Sequence, residues 1–403
     1  MPADERALRK NILLFSLFFL LFFAGLGLMM PFLSLQFKAV GYNGVQISLL
    51  NMLSALAVIL TAPQYGLIFD RSKDKRLILL ISLAIATVTL FLIPYLRAFG
   101  PMLVIYTINR VIISSSITAS ENLSYQVSAD KNGEEKAAFG SLRMWGSLGF
   151  ALTALLGGKI FQDYGLLLND RIFLGFMAAA FVVLFLMPES IFRERRTAET
   201  IETSLSTRGV IKLIAKDQYL LLTVVALALT DPLFDGVRSF EPIFMEELGL
   251  PVSVIGLAAT LSALLEVPMM LGADRLIERI GVQNLVIAIL SFDLTRRLLV
   301  WIFPSGWVVF ALNIMTAISF TLRLITTVHL INLRIPKQYT TTAFTFVFNT
   351  MNGIMYILSN AISGVIYDAF GAQQIYLVSA TLCVIALGCA LAARHISSEK
   401  ELV

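Results

Sequence analysis

The sequence predicts an all-α polytopic membrane protein of twelve transmembrane helices, arranged as two pseudo-symmetric six-helix bundles. Three observations predict it. First, of 403 residues 57% are hydrophobic and only 14% are charged, where a soluble domain carries about 25% charged residues. Second, a spanning helix needs about 20 mostly apolar residues, and twelve such stretches can be counted, at 11–37, 45–69, 76–95, 99–127, 138–162, 171–190, 217–247, 252–278, 282–302, 306–334, 341–368 and 372–394. Third, the basic residues are unevenly shared among the intervening loops. With the N-terminus inside, one set of loops and tails holds 21 Lys and Arg and the other holds four. That bias places both termini in the cytoplasm.

The same composition excludes other classes. Net charge is +4 without a basic patch on a soluble domain, so no nucleic-acid partner is expected. Cys383 and Cys389 sit in the last apolar stretch and read as small buried hydrophobes, not as a disulfide or metal framework. Phosphate loops, zinc spacings and hydrolase elbows are absent from the sequence, so neither an enzyme nor a cofactor is implied. The first apolar run is too long for a cleaved leader and reads as a spanning helix.

Taken in order, helix 1 carries Phe15, Phe18, Phe19, Phe22 and Phe23, which are expected to face lipid. The loop after helix 2 runs from Gly66 through Asp70-Arg71 to Arg76. A glycine here permits close helix approach, and Asp70 stands at a helix end where a basic residue or a helix N-terminus can pair with it. Helix 4 holds Arg110, then Ser114-Ser115-Ser116, and Glu121 further on. Helix 5 opens with Phe139-Gly140-Ser141-Leu142-Arg143 and continues Met144-Trp145-Gly146-Ser147-Leu148-Gly149-Phe150. After helix 6, residues 193–216 are charged and rich in Ser and Thr, a solvated linker that divides an N-terminal domain (1–192) from a C-terminal one (217–403).

In helix 7, Pro232 and Gly236 should break the helix, which a membrane tolerates only beside packed protein or a cavity. Asp231 and Asp235 fall at i and i+4, on one face. Two close carboxylates resist joint ionisation, which suits a proton; acids on a broken helix also suit a sodium ion. Helix 8 has Glu266 two residues before Pro268, helix 9 has Asp293, Arg296 and Arg297, and helix 10 has Arg323. A charge at mid-bilayer costs at least about 2.5–3.5 kcal/mol on insertion scales. The arginines 110, 143, 238, 296, 297 and 323, with acids 121, 231, 235, 266 and 293, must therefore face one another or a wet path. Glu241 lies at the edge of this set.

Two repeats share an offset near 206 residues. Gly158 to Gly165 (GKIFQDYG) corresponds to Gly364 to Gly371 (GVIYDAFG), and Pro63 with Asp70-Arg71 corresponds to Pro268 with Asp274-Arg275. Parallel six-helix repeats are a transporter plan, with the binding site near mid-membrane.

At these motifs the chain resembles the major facilitator superfamily. The loop after helix 2 is similar to that family's Gly-x-x-x-Asp-Arg signature, with Lys73 where a glycine is usual; the resemblance implies a gating motif at Gly66, Asp70, Arg71 and Arg76. Arg110 with its small residues is similar to a second motif of proton-coupled members. The helix 5 string resembles the lactose permease and nucleoside permease branch, which implies Arg143 and Phe150 as solute contacts. That branch also keeps an acid on helix 4, where this chain has Tyr125 with Glu121 one turn away. Helices 8 and 9 are similar to the branch's coupling region, which implies Glu266 as proton carrier with Arg297, or alternatively Arg296, as partner. A carboxyl group in a low-dielectric site holds its proton tightly and an approaching guanidinium releases it. Helix 10 departs from the branch, with Arg323 and no acid; Arg323 could pair permanently with Glu266.

The expected function is proton-coupled symport of a small polar solute, a sugar, nucleoside or aromatic carboxylate, by alternating access in a bacterial inner membrane. Arg143, Phe150, Glu121, Arg323 and Asp231 are the expected solute contacts. Glu266, Arg297, Arg296, Asp235 and Arg110 are the expected coupling residues. The resemblance implies a monomer in a lipid bilayer. The rival expectations are a proton-coupled exporter of drugs, sugars or lipids, and a non-transporting receptor on a transporter fold.

Overall fold

A computed structural model describes residues 3–128, 139–166, 169–192, 207–231, 236–336 and 339–401. Every regular element among them is helical. In chain order they are α1 (Ala3–Met29), α2 (Leu33–Val40), α3 (Gly44–Arg71), α4 (Lys75–Leu92), α5 (Phe99–Ser128), α6 (Phe139–Tyr164) and α7 (Asn169–Leu186). There follow α8 (Thr207–Lys216), α9 (Gln218–Leu229), α10 (Gly236–Glu247), α11 (Val252–Ile280) and α12 (Val282–Ile302). The last are α13 (Gly306–Ile314), α14 (Thr316–Arg334), α15 (Thr340–Thr345), α16 (Asn352–Phe370) and α17 (Ala372–Glu401).

Among the described residues nine helical spans are long and apolar enough to cross a membrane. The remaining predicted crossings fail that criterion for visible reasons. Helix α7 is short, α9 and α10 are one crossing split in two, and α12 carries Asp293, Arg296 and Arg297 in its second half. The split falls where Pro232 and Gly236 predict it: α9 stops at Leu229 and α10 resumes at Gly236.

The chain divides into two compact units. The first holds Met1–Tyr42, Leu53–Thr200 and Pro251–Thr260; the second holds Asn43–Met52, Ile201–Leu250 and Leu261–Val403.

In the first unit α1 packs on α6 and α7, and α4 packs on α5 and α7. The α1–α6 contact is built from glycine. A Cβ on Gly149 would overlap the Leu20 carbonyl oxygen, and one on Gly27 would overlap that of Phe150. Thr153 Oγ1 donates across this seam to Ala24 O at 2.7 Å. The phenylalanines of α1 do not face lipid as expected: Phe15, Phe18, Phe19, Phe22 and Phe23 are all buried. Lipid and a protein interior are equally apolar, so hydropathy cannot choose between them. The buried Asn109 of α5 ties α4, donating to Thr89 Oγ1 at 2.8 Å and Ala86 O at 3.1 Å.

In the second unit α17 packs along α9 and α12, and α12 also packs on α14. Val210 and Ile214 bury the apolar stripe of α8 against Tyr219, Leu330 and Ile331. The sequence repeat reappears as repeated packing inside each unit. In the first, Gly158 of α6 sits against Val252 and Gly256, and Gln162 accepts from Ser253 N at 3.3 Å. In the second, Gly364 of α16 sits against Gly44 and Ser48, and Asp368 accepts from Gly44 N at 2.6 Å and Val45 N at 2.9 Å.

Backbone cannot yield to a new methyl group as a flexible side chain can. Gly149→Val should therefore lower the thermal midpoint by the few degrees that an overpacking cost of about 1–3 kcal/mol implies. Gly175→Ala, where a Cβ would meet nothing within 4 Å, should leave it unchanged or raised. Thermal unfolding of the two variants in detergent checks both.

Candidate functional site

The site starts from a backbone problem. Helix α9 ends inside an apolar unit, and the last carbonyls of a helix have no partner within it. Pro232 explains the stop, because a proline disfavours helical backbone before it and cannot donate. Two guanidiniums take up these carbonyls. Arg323, on α14 and 2% exposed, donates through Nη1 to Leu227 O and, at 2.7 Å, to Thr230 Oγ1. Arg297, on α12 and fully buried, donates through Nη2 to Thr230 O at 3.4 Å and through Nη1 to Cys383 Sγ at 2.8 Å.

Those charges need a counterion, and Asp293 supplies it. Its Oδ2 lies 2.5 Å from Arg323 Nη2 and 3.9 Å from Arg297 Nη1. Asp293, Arg296 and Arg297 fall at i, i+3 and i+4 of α12, so they share one face, and all three are buried. Asp293 Oδ1, Arg296 Nε and Arg323 Nε are buried with no hydrogen-bond partner in the protein.

Arg296 belongs to a second knot. It lies 3.6 Å from Glu241 Oε1. That oxygen also accepts from the Tyr376 hydroxyl at 2.8 Å, and Oε2 accepts from Asn313 Nδ2 at 2.6 Å. Helices α10, α12, α13 and α17 are joined through one carboxylate. Asp231 is buried beyond the end of α9 and accepts from Asn352 Nδ2 at 3.1 Å. Between it and Arg323 is a recess of about 10 Å³, also lined by Leu227, Thr327, Phe348 and Asn352. The turn before Asn352, Phe346–Met351, is a widened π-helical turn.

The structure therefore brings together Arg297, Arg323 and Asp231 from among the expected residues, and sets Arg296 beside them on Glu241. Glu266 is half-buried on α11 and is engaged by a neighbour. In the first unit Arg110 and Glu121 are half-buried and engaged on α5. Their spacing of eleven residues puts them on one stripe but about 16 Å apart along the axis. Phe150 is half-buried on α6, and Arg238 of α10 is exposed. The side chain of Arg143 and the whole of Asp235 lie outside the described residues.

At the gating motif Asp70 and Arg71 are exposed, and Arg76 lies over the Phe185 ring at 4.9 Å. Gly66 does not serve close helix packing as expected: a Cβ there would meet nothing within 4 Å. The sequence marks Asp293 as an intramembrane acid without placing it at the site, and Glu241 lies at the margin of that set. The i, i+4 pairing of Asp293 with Arg297 was the available signal. Thr230, Asn352 and Thr327 carried no signal, being neutral residues in apolar helices.

Asp293→Asn would strip a buried counterion from two arginines, and breaking a buried pair costs about 3–5 kcal/mol. Its thermal midpoint should fall well below wild type. Adding Arg323→Gln to the same chain should recover part of the loss, because it removes one orphaned charge. Strictly additive losses in the double variant would show that the pair is not coupled.

A family model described as the MFS_1 like family matches residues 12–378. A maltose permease of Geobacillus stearothermophilus is 26% identical over 373 residues, 92% of this chain and 91% of the relative. An uncharacterized transporter of Bacillus subtilis (strain 168), YwbF, is 22% identical over 93% of this chain and 91% of its own. A multidrug resistance protein MdtG of Citrobacter koseri is 27% identical over 66% of each chain. Among solved structures, the nucleoside transporter NupG superposes with a TM-score of 0.82 at 16% identity, covering 95% of this chain and 99% of that one.

Proposed function

The chain belongs to the MFS_1 like family, and on that premise we propose that this membrane transporter is a proton-coupled symporter of a small polar solute, a sugar, nucleoside or aromatic carboxylate. It works by alternating access in a bacterial inner membrane, with both termini cytoplasmic and as a monomer. Its twofold repeat supports the alternating plan, and the maltose permease relative, aligned over nearly its whole length, supports uptake of a hydroxylated solute.

One observation carries the coupling. Arg323 is held by Asp293 on one side and lines the recess beside Asp231 on the other. Among the described residues of the second unit, the buried acids Asp231, Glu241 and Asp293 match the buried Arg296, Arg297 and Arg323 in charge, three against three. A buried set of this kind tolerates no net charge cheaply: a proton on any acid leaves a guanidinium uncompensated, at about 3–5 kcal/mol. Shifting a two-state equilibrium from 1:99 to 99:1 takes about 5.5 kcal/mol. Protonation is thus of the right size to bias the transporter between its states. The guanidinium in the wall also disfavours sodium at Asp231 and leaves the proton as coupling ion.

Glu266, half-buried on α11, is the carrier that delivers the proton, with Arg297 and Arg296 as its electrostatic counterparts and Arg110 serving the first unit. Arg143, Phe150 and Glu121 contact the solute from that unit, and Asp231 and Arg323 from the second. The second reading is export, which the multidrug resistance relatives favour over two thirds of the chain.

Glu266→Gln in proteoliposomes should abolish uphill accumulation of solute while sparing solute–solute exchange. Survival of uphill accumulation would remove Glu266 from the coupling path. Accumulation driven only by an outward-directed proton gradient would favour the exporter.

A further inference from the structure

We propose that the recess beside Asp231 is a hydroxyl-anchoring subsite that selects neutral, polyhydroxylated solutes and rejects carboxylates. The inference rests on the transporter reading above and narrows its solute class.

Three of the five N–H donors of Arg323 are committed, which leaves one Nη2 hydrogen and the Nε–H. Nη1 is taken by Leu227 O and Thr230 Oγ1, and Nη2 by Asp293. The Nε–H remains, buried and without a partner in the protein. The charge of Arg323 is already matched within the buried set of Asp231, Glu241 and Asp293 against Arg296, Arg297 and Arg323, so the recess offers a hydrogen-bond donor and not a spare cation. A solute carboxylate entering it would bring a second negative charge beside the Asp231 carboxylate, and two close carboxylates resist joint ionisation.

A hydroxyl group meets the opposite situation. Asp231 accepts its proton, and Arg323 Nε–H or the second Nδ2 hydrogen of Asn352 donates to its oxygen. Thr327 sends its own hydroxyl hydrogen to Arg323 O at 2.8 Å, which leaves lone pairs toward the recess. A volume of about 10 Å³ is what a single water-sized group fills. The recess therefore has room for no more than one water or one hydroxyl of a solute.

The wall is purpose-built. Helix α16 begins with Asn352 directly after the π-helical turn Phe346–Met351, and single π-helical turns are rare and occur often at functional sites. The turn sets Phe348 against the recess and Asn352 onto Asp231. Phe348 is half-buried and packs on Phe344 with ring centroids 4.3 Å apart and the rings tilted by 30°, an apolar surface for the C–H face of a sugar ring.

The test is ligand-induced thermal stabilisation and equilibrium binding of the purified full chain. The neutral probes are maltose, sorbitol and adenosine; the anionic probes are benzoate and lactate. At least one neutral probe should stabilise wild type, and neither carboxylate should. Asn352→Leu and Thr327→Val, both read for monodispersity first, should each weaken that probe about threefold to tenfold, the range expected for a hydrogen bond between neutral groups. Thr327→Val provides the readout if Asn352→Leu does not fold. Stabilisation by a carboxylate but no neutral probe, no stabilisation by any probe, or unchanged affinity in the variants would overturn the proposal. If water alone occupies the recess, affinity will not change in either variant. Neutral-probe binding that persists without proton-driven uptake would count against coupling and not against this subsite.

Discussion

A helix that stops inside hydrocarbon leaves carbonyl groups that something must satisfy, and in this chain the broken end of α9 sets the rest of the second unit. Leu227 and Thr230 present those carbonyls, and Arg297 and Arg323 reach them from two other helices. Positive charge at the end of a helix is favourable in its own right. Two buried guanidiniums, however, cannot stand without an anion, and this requirement places Asp293 between them. The charge pattern of α12, which disqualifies it as an ordinary apolar span, follows from that requirement. So does the polar character of α14, with Thr321, Arg323, Thr326 and Thr327 all buried.

The same constraint makes the unit responsive. Hydrocarbon packing alone has no preferred protonation state, whereas a balanced set of buried ions does. Changing one charge changes which arrangement of arginines is affordable. Asp231 and Arg323 are where this set reaches a recess, so events at the recess and events at the ion pairs share one guanidinium. Glu241, with its tyrosine, asparagine and arginine partners, is by contrast fully bonded and reads as a tie among α10, α12, α13 and α17.

Much of this was legible in the residues, for reasons that can be stated. Apolar run length located the crossings because the length of a span follows directly from bilayer thickness. Pro232 and Gly236 marked the break in helix 7 because their backbone chemistry is local. The 206-residue offset anticipated the matched packing of Gly158 and Gly364. What escaped was everything decided across helices. Asp293 could be seen as a buried acid, but its choice of Arg323 depends on how α12 and α14 pack. Asn352 is an amide in an apolar helix, with neither charge nor period to single it out. The phenylalanines of α1 were expected at lipid and lie in the core, since hydropathy measures avoidance of water and not what replaces it. Gly66 kept its motif's spacing, yet a side chain there would meet open space, so its smallness is not used for close packing.

The central proposal is that solute moves together with a proton, and that the charge-balanced second unit couples the two. Lightly buffered vesicles containing the purified protein, held without a membrane potential, can be given a stabilising solute while external pH is followed. Symport predicts alkalinisation of the medium that tracks solute entry and vanishes with a protonophore. Solute entry with no pH change, or with acidification, would contradict it.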